Sequence, residues 1–358
     1  MDTGGAELGR WTGDASRVGA ARALPHVYAA LDLGTNNCRL LIARPGPDAE
    51  GLRVIDAFSR IVRLGEGLTH SGRMSEAAMA RTLDALDVCR DKMDRRGVTR
   101  ARLVATEACR AAANAPEFMA RVAARTGLSL EIIGRETEAR LAAAGCGALA
   151  DPQAESVVLF DIGGGSTEIV WLARGSDRAA AGAGASPEAS PDASPWVSIE
   201  LGVVTLAERF GGRAVDEAAY RAMRDTFGRA LEPFADRLRG KRKCPRFHLL
   251  GTSGTVTTIA GVHLGLPRYD RRRIDGLWMV DRAVEAAIRR LRGMDYDQRV
   301  AQGCIGRERA DLVLAGCAIF EAIRRAFPST RVRIADRGLR EGILTELMRA
   351  DRARGARA

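Results

Sequence analysis

Two short segments of this chain combine a carboxylate with a turn of small residues. In the first, Asp32 precedes the residues Gly34, Thr35, Asn36 and Asn37, and in the second, Asp161 precedes the residues Gly163, Gly164, Gly165, Ser166 and Thr167. Glycine-rich turns expose backbone N–H groups and let an anion approach closely. Carboxylates beside such turns suit the hard cation that accompanies phosphate. The two motifs therefore predict two domains that hold a phosphate-bearing ligand and its metal.

Each motif lies between two apolar runs. The sequence reads YAALDLGTNNCRLLI at 28–42 and VVLFDIGGGSTEIVW at 157–171, which is typical of strand, tight turn and strand. A third small-residue turn, Gly251–Thr255, precedes a threonine-rich helix, and a helix N-terminus favours anions. Strand and helix patterns alternate along the rest of the chain, as in α/β layers. Because the hairpin occurs twice, we predict a duplicated α/β domain.

Composition narrows the class of protein. The chain has 358 residues, of which 46% are hydrophobic, enough for about two domains. The net charge of +10 favours polyanionic partners, but no basic run with interleaved aromatic residues indicates nucleic-acid binding. There is no apolar stretch long enough for a membrane span and no secretory signal. Seven cysteines without a CxxC motif indicate reduced thiols, and we expect a cytoplasmic protein.

The chain divides into segments by composition and pattern. We expect a first domain at 27–141 and a second at 142–345, with a disordered tail at 1–26 and a basic tail at 346–358. Residues 174–195 are rich in Gly, Ala, Ser and Pro, which predicts a flexible surface insertion. The stretch after the first hairpin, which includes Arg60 and Arg63, is predicted to be a loop. Ser75 is predicted to begin a helix.

Longer stretches of the sequence resemble one family. No GxxxxGK[ST] motif is present, and neither hairpin contains GxGxxG before a helix, so Walker-type and dinucleotide-binding folds are disfavoured. The paired turns resemble the phosphate loops of the actin, sugar-kinase and heat-shock-chaperone superfamily. Within that superfamily, the chain resembles the Ppx/GppA phosphatases. The resemblance lies in the stretches ALDLGTNNCRLLIA (30–43), TEACRAAAN (106–114), GRETEARLAAAG (134–145), LFDIGGGSTEIV (159–170), GTSGTVTTIAGVHLGLPRYDRRRIDG (251–276), ERADLVLAG (308–316) and DRGLREGIL (336–344).

The resemblance implies a fold and an activity. The expected fold is α/β, with two duplicated ribonuclease H-like (actin-like) domains around a central cleft. Family members are exopolyphosphatases and guanosine pentaphosphate phosphohydrolases, and this chain is similar to the short, two-domain exopolyphosphatases. The expected reaction is hydrolysis of the terminal phosphoanhydride of inorganic polyphosphate. Hydrolysis of guanosine pentaphosphate (pppGpp) is the alternative, since both substrates end in a phosphoanhydride.

The resemblance also implies a catalytic residue. It assigns Glu138, in the stretch Glu138-Ala139-Arg140, to activation of the attacking water, since a carboxylate of suitable pKa can accept its proton. From the sequence alone, a first-turn glutamate that complements the helix dipole is the simpler interpretation. Glu136 ranks lower because it would point in a different direction on a helix. A superfamily kinase or a non-catalytic polyphosphate or alarmone sensor is less expected, because Glu138 favours hydrolysis.

Phosphate and metal ligands are assigned in the same way. The implied phosphate-binding groups are Arg110 and the backbone of the two turns, and arginine can bind phosphate through two hydrogen bonds. Asp161, Glu168 and Asp32 are the implied ligands of Mg²⁺, with other divalent cations left open. The candidate residues of the substrate path are Arg63, Thr252, Ser253 and Arg271, with a solvated loop as an equal alternative for the two arginines. A homodimer is left open.

Overall fold

The computed structural model of the chain describes residues 26–46, 51–173, 194–239 and 246–355. The predicted N-terminal tail and the insertion at 174–195 lie almost wholly outside the described residues. The described chain divides into two compact units. Unit 1 contains the residues up to Gly134 and those from Arg340 onward, and unit 2 contains Arg135–Leu339.

Unit 1 is a mixed sheet with helices. Its strands are β1 (Tyr28–Leu33), β2 (Asn37–Pro45), β3 (Leu52–Ile61), β4 (Arg100–Ala105) and β5 (Glu131–Ile132), in the order β3-β2-β1-β4-β5. Its helices are α1 (Leu68–Ser71), α2 (Glu76–Arg95), α3 (Glu107–Ala111), α4 (Ala115–Thr126) and, from the C-terminal segment, α13 (Leu339–Gly355). Strand β1 is antiparallel to β2 and parallel to β4. Ser75 caps α2 by accepting a hydrogen bond from the Ala78 N–H, as predicted.

Unit 2 has a six-stranded mixed sheet. Its strands are β6 (Ser156–Ile162), β7 (Thr167–Ala173), β8 (Trp196–Ile199), β9 (Phe247–Thr252), β10 (Trp278–Val280) and β11 (Arg331–Ala335), in the order β10-β11-β9-β6-β7-β8. Its helices are α5 (Arg135–Cys146), α6 (Val203–Phe210), α7 (Glu217–Arg237), α8 (Gly254–His263), α9 (Arg271–Ile274), α10 (Asp281–Arg292), α11 (Tyr296–Ala301) and α12 (Val313–Ala326), and Gly147–Leu149 form a 3₁₀ turn. The larger core of the unit packs helices such as α8 and α12 on one sheet face, and α5 packs on β6 and β7.

The two units repeat one topology. Strands β8-β7-β6-β9-β11 of unit 2 follow the order and directions of β3-β2-β1-β4-β5 in unit 1. The turn between the first two strands is closed in the same way in both units. The Gly34 N–H donates to the Asn37 carbonyl and the Gly163 N–H to the Ser166 carbonyl, each at 2.9 Å. The predicted α/β fold with a duplicated domain is confirmed.

Some expected boundaries differ from the structure. Residues 52–61 form strand β3 instead of a loop, and residues 346–355 continue α13 instead of forming a tail. Strand β3 is an edge strand with residues half-buried or exposed along its length, so it lacks the alternation that identifies a strand. The expected domain boundary at 141/142 falls inside α5, whereas the division between the two units lies just before that helix. No helix in the described part of the chain is both long and apolar enough to cross a lipid bilayer.

Candidate active site

The second turn, Gly163–Thr167, is supported by the start of helix α6. The N–H groups of Val203 and Val204 donate to the carbonyls of Gly163 (3.0 Å) and Gly164 (2.8 Å). Gly202 permits this contact, because a Cβ at that position would lie 2.3 Å from the Gly164 oxygen. The positive end of α6 therefore holds the carbonyl side of the turn.

This support fixes the direction of two amides. In a trans peptide, the C=O of one residue and the N–H of the next point to opposite sides. Because the Gly163 and Gly164 carbonyls point to α6, the N–H groups of Gly164 and Gly165 point away from it. Neither N–H has an acceptor among the described residues. Two neighbouring amides without acceptors form a concave binding site suited to a phosphate oxygen.

Two carboxylates lie side by side behind this turn. Asp161 and Glu168 are direct partners in the β6–β7 ladder, so their side chains leave the same face of the sheet. Glu168 is buried, and its Oε1 atom accepts hydrogen bonds from the hydroxyls of Ser166 and Ser198, both at 2.8 Å. These contacts fix the orientation of the Glu168 carboxylate.

The donor set of this pair fits Mg²⁺. That ion is commonly held by one or two carboxylates together with water and substrate phosphates rather than by a complete protein cage. Among the described residues, no group of three or more His, Cys, Asp or Glu side chains forms a metal cluster. Asp161 and Glu168 therefore offer two of the ligands that such an ion needs, beside a turn suited to phosphate.

Helix α5 covers the same sheet face. Its residues Ala139, Ala143 and Cys146 pack in one cluster with Val157, Leu159 and Val170. These three lie two or four positions from Asp161 or Glu168 along the same strands, so they share one face of the sheet with the two acids. Arg135 at the start of α5 forms a 2.9 Å ion pair with Glu200, two residues before Gly202. The first turn of α5 thus lies near the segment that supports the second turn.

The two glutamates of that first turn have different surroundings. Glu138 is half-buried next to the packed residue Ala139, whereas Glu136 is exposed. A carboxylate at the margin of a packed face can meet a ligand held above that face. Glu138 therefore lies closer to the packed face than Glu136, and its role in catalysis stays a prediction.

The third turn meets Asp161 from the neighbouring strand. Thr252 pairs with Asp161 in the parallel β6–β9 ladder, and its hydroxyl donates to the Arg337 carbonyl at 2.6 Å. A Cβ at Gly338 would lie 3.3 Å from the Thr252 hydroxyl and 4.0 Å from an Asp161 carboxylate oxygen. The carboxyl ends of β6, β9 and β11 therefore lie side by side at one end of the sheet, where open α/β sheets bind their ligands.

Ser253, directly after β9 at this end of the sheet, has a strained backbone. Its φ is 110°, a conformation that residues other than glycine rarely adopt, and its hydroxyl accepts a hydrogen bond from the Thr255 N–H at the start of α8. Non-glycine strain of this kind concentrates at functional sites. Arg271 reaches the same end of the sheet, because its Nη2 atom donates at 2.7 Å to the carbonyl of Asp336, the residue that follows β11. Thr252 and Arg271 thus both lie at the end of the sheet where Asp161 lies.

The first turn, in unit 1, is supported by a loop instead of a helix. The N–H groups of Val62 and Gly65 donate to the carbonyls of Asn36 and Thr35, both at 2.9 Å. By the same peptide geometry, the Asn36 N–H points away from that loop. The side-chain oxygens of Asn36 and Asn37 are buried without a partner among the described residues. Buried polar atoms without partners mark a position where a ligand or water binds.

Two features distinguish this turn from its counterpart. Arg63 in the supporting loop has a φ of 48°, so this candidate path residue is held in the left-handed region directly against the turn. Asp32 faces Arg39 across the β1–β2 ladder, at the position that Glu168 occupies in unit 2. Burial raises the pKa of Asp32, and Glu341 adds to this, while Arg39 and Arg340 oppose it. A cation opposite Asp32 makes this end less suitable for a metal ion than the Asp161–Glu168 pair.

Arg110 is held rigidly in unit 1. Its Nε and Nη2 atoms donate to Glu107 Oε2 at 3.0 and 2.7 Å, and its Nη1 atom donates to the Ile133 carbonyl at 2.8 Å. Both side chains of the ion pair are largely buried. A guanidinium fixed in this way has lost its conformational freedom before any phosphate binds, which favours its use as a phosphate ligand.

Sequence reasoning missed the residues that support the turns. Gly202, Ser198 and Gly65 contact the turns or Glu168, but each lies far from them along the chain. The only local signal was the glycine itself. A Cβ at Gly65 would lie 2.2 Å from the Thr35 methyl group, and only the folded structure identifies that neighbour.

Comparisons with known proteins agree with this fold and identify a family. A family model described as the Ppx/GppA phosphatase family matches residues 42–351. Among solved structures, the Ppx/GppA family member of Aquifex aeolicus is 27% identical with a TM-score of 0.70, covering 91% of this chain and 98% of that one. Another structure of the Aquifex aeolicus enzyme is 28% identical with a TM-score of 0.69, covering 90% of this chain and 99% of that one.

A third solved structure agrees in fold. The exopolyphosphatase of Cytophaga hutchinsonii is 22% identical with a TM-score of 0.79, covering 91% of this chain and 98% of that one. Together with the repeated topology, these matches establish the two-domain, actin-like α/β architecture that the sequence predicted. By the extent of the family match, this chain belongs to the Ppx/GppA phosphatase family.

Proposed function

We propose that this phosphatase is a Mg²⁺-dependent exopolyphosphatase, which releases orthophosphate from the end of inorganic polyphosphate, with Glu138 activating the attacking water. The observation that carries the proposal is the single sheet face of unit 2. Asp161, Glu168 and the helix that bears Glu138 share this face, beside a turn with two amides that lack acceptors among the described residues. Hydrolysis of a terminal phosphoanhydride needs an activated water, a fixed phosphoryl group and neutralised charge.

Each requirement has a candidate residue in unit 2. The N–H groups of Gly164 and Gly165 bind phosphate oxygens, and Glu138 accepts the proton of the water that attacks the terminal phosphorus. Asp161 and Glu168 would hold the metal ion. When bound, that ion offsets the negative charge of the phosphates. Ser166 and Ser198 keep the Glu168 carboxylate in one orientation.

Unit 1 contributes phosphate contacts of its own in this proposal. The Asn36 N–H and the side-chain amides of Asn36 and Asn37 bind phosphate oxygens, since an amide group can present its NH₂ donors after a rotation. Arg110, oriented by Glu107, adds a charged donor. Asp32 takes a minor part in metal binding, because Arg39 faces it.

The choice of polyphosphate over pppGpp depends on charge. The net charge of +10 attracts a long polyanion more strongly than a single nucleotide. The family match supports phosphatase chemistry with either substrate. Reduced, buried cysteines are consistent with a cytoplasmic enzyme, since the six in the described part of the chain are all buried and without disulfides.

Phosphate release tests the proposal. Purified protein is incubated with long-chain polyphosphate or with pppGpp, with and without Mg²⁺, and orthophosphate is measured over time. We expect release from polyphosphate that needs the metal and exceeds release from pppGpp in kcat/KM. Faster turnover of pppGpp would reassign the enzyme to nucleotide hydrolysis, and release from neither substrate would reject the activity.

A further inference from the structure

A charged pocket lies on unit 2, away from the candidate active site. Its volume is about 380 Å³, and four arginines line it together with three carboxylates: Asp281, Glu285, Arg289, Arg292, Glu321, Arg324 and Arg325. Ile288, Pro328 and Ser329 complete the lining. A volume of this size suits a small molecule, and the scarcity of apolar side chains excludes a hydrophobic one.

The pocket and the candidate site lie at opposite ends of strand β11. Pro328 and Ser329 precede the strand, while Asp336 and Gly338 follow it on the side of Asp161. Five strand residues span roughly 16 Å at about 3.3 Å per residue. The pocket is therefore separate from the phosphate turn of the same unit.

Each arginine is oriented by a carboxylate and keeps donors for a ligand. Arg324 donates from Nε to Asp281 Oδ1 at 2.7 Å and from Nη2 to the Asp281 carbonyl at 3.3 Å. Its side chain is only 11% exposed, and its Nη1 atom has no partner among the described residues. Arg289 is paired with Glu285 at 2.7 Å and Arg325 with Glu321 at 2.6 Å, each through Nη2 only.

Arg292 is positioned by stacking. Its guanidinium lies 4.2 Å from the ring centroid of Tyr220, and its Nη2 atom is paired with Glu217. Tyr220 in turn donates its hydroxyl to Glu321 at 2.9 Å, so the same carboxylate fixes the tyrosine and Arg325. Rigid, paired guanidiniums with unused N–H groups recognise phosphate at a low entropic cost.

Helix electrostatics explain only part of this arrangement. Arg324 and Arg325 lie in the last turn of α12, where cations complement the helix dipole. Arg289 and Arg292 lie likewise in the last turn of α10. The dipole favours a cation at each helix end, but it does not require four guanidiniums from two helices to line one pocket. Helix α10 adds its N-terminus at Asp281, where Val280 provides no side-chain cap. The lining has four positive and three negative side chains, and Glu217 pairs with Arg292 beside it, so the pocket offers an anion oriented N–H donors rather than a large net charge.

We propose that this pocket is a binding site for a small phosphate anion, held by the guanidiniums of Arg292, Arg324 and their neighbours. The ligand is either an inorganic phosphate or diphosphate, or the phosphate end of a nucleotide. The inference is independent of the activity proposed above, because it concerns binding at the other end of the strand.

Hydrogen exchange measured by mass spectrometry tests the site directly. The full-length protein is compared with and without diphosphate, and peptides covering 281–292 and 321–329 are followed. We expect diphosphate to slow exchange in both peptides in the wild type, in addition to any protection near Gly163–Thr167. Parallel measurements with orthophosphate and with GTP distinguish inorganic phosphate from a nucleotide as the preferred source.

Paired variants locate the effect. Arg289→Gln with Arg325→Gln removes two exposed pocket arginines and should abolish protection in these peptides, with at least tenfold weaker binding by calorimetry at this site. Arg282→Gln with Arg290→Gln removes the same charge from positions of α10 that do not line the pocket. This control variant should retain the protection of both peptides by diphosphate. Absence of protection in the wild type, or equal loss in both variants, would overturn the proposal. Protection near Gly163–Thr167 reports on the phosphate turn separately.

Discussion

Glu168 lies directly opposite Asp161 across the β6–β7 ladder, with its carboxylate held by two serine hydroxyls. The corresponding position in unit 1 is Arg39, which faces Asp32. One topology thus carries two acids in unit 2 and an acid with a base in unit 1. This single difference in charge makes the Asp161–Glu168 pair of unit 2 the better candidate for a metal ion.

Replacing Glu168 by Gln should weaken metal binding while leaving the fold intact. The amide oxygen can still accept hydrogen bonds from Ser166 and Ser198, but the negative charge is lost. We expect divalent-cation affinity to fall about tenfold or more, measured with Mn²⁺ by electron paramagnetic resonance in the absence of substrate. Arg39→Gln is the matched control at the equivalent position of unit 1. Unchanged Mn²⁺ affinity in Glu168→Gln would remove Glu168 from the metal site.

Replacing Glu138 by Gln should slow the chemical step. Loss of a general base typically lowers the rate by about 10²- to 10⁴-fold. We expect kcat for polyphosphate to fall within that range, with substrate binding unchanged by calorimetry. The control is Glu136→Gln, which changes an exposed carboxylate in the same helix turn. Equal effects of the two substitutions would show that helix electrostatics, not proton transfer, are responsible.

Arg110 and Glu107 should be tested together. Arg110→Gln leaves the largely buried Glu107 carboxylate without its ion-pair partner, so we expect both stability and phosphate affinity to decrease. Adding Glu107→Gln should restore much of the thermal stability but not the affinity for polyphosphate. Calorimetric melting and KM measured on the same preparations separate the two effects. Recovery of KM together with stability would make Arg110 a structural residue only.

Two glycine substitutions should have opposite effects. A Cβ at Gly202 would lie 2.3 Å from the backbone oxygen of Gly164, so Gly202→Ala must displace the second turn. We expect a destabilisation of about 1–3 kcal/mol and a loss of activity on the order of 10²-fold. At Gly228, inside α7, an added Cβ would meet no described atom within 4 Å, and Gly228→Ala should stabilise by about 0.5–1 kcal/mol. Denaturant unfolding and steady-state kinetics check both, and a fully active Gly202→Ala would contradict the role of the turn.

Asp32→Asn should make the protein more stable at neutral pH. Burial raises the pKa of Asp32, so ionisation of this carboxyl opposes folding. The stability linked to the protonated form is present at low pH and is lost as the pH rises through the folded-state pKa. The melting temperature of Asp32→Asn should therefore exceed that of the wild type at pH 7, and the difference should vanish below about pH 4. Thermal melts from pH 3 to 8 check this, and a lower melting temperature at pH 7 would contradict it.

The sequence predicted the parts of the site that are encoded locally. A hairpin with a glycine turn and a preceding aspartate is visible in fewer than twenty residues, so Asp32, Asp161 and both turns could be identified. Support for the turns comes from distant segments. The serine that holds Glu168 and the glycine that contacts Gly164 are specified only by strand order and close packing. Edge strand β3 was missed because neither of its faces is uniformly buried.

The places of α5 and α13 in the sequence have a consequence for truncation of the chain. Helix α5 follows the strands of unit 1 but belongs to unit 2, whereas α13 follows unit 2 and joins unit 1. In unit 1, α13 bonds to the sheet through Asp351, which accepts from the Tyr28 hydroxyl at 3.1 Å, and through Glu346, which pairs with Arg102. Unit 2 is therefore contiguous in sequence, whereas unit 1 is built from both ends of the chain. A chain that ends before residue 340 keeps every element of unit 2 but loses the contacts of α13 with Tyr28 and Arg102 in unit 1.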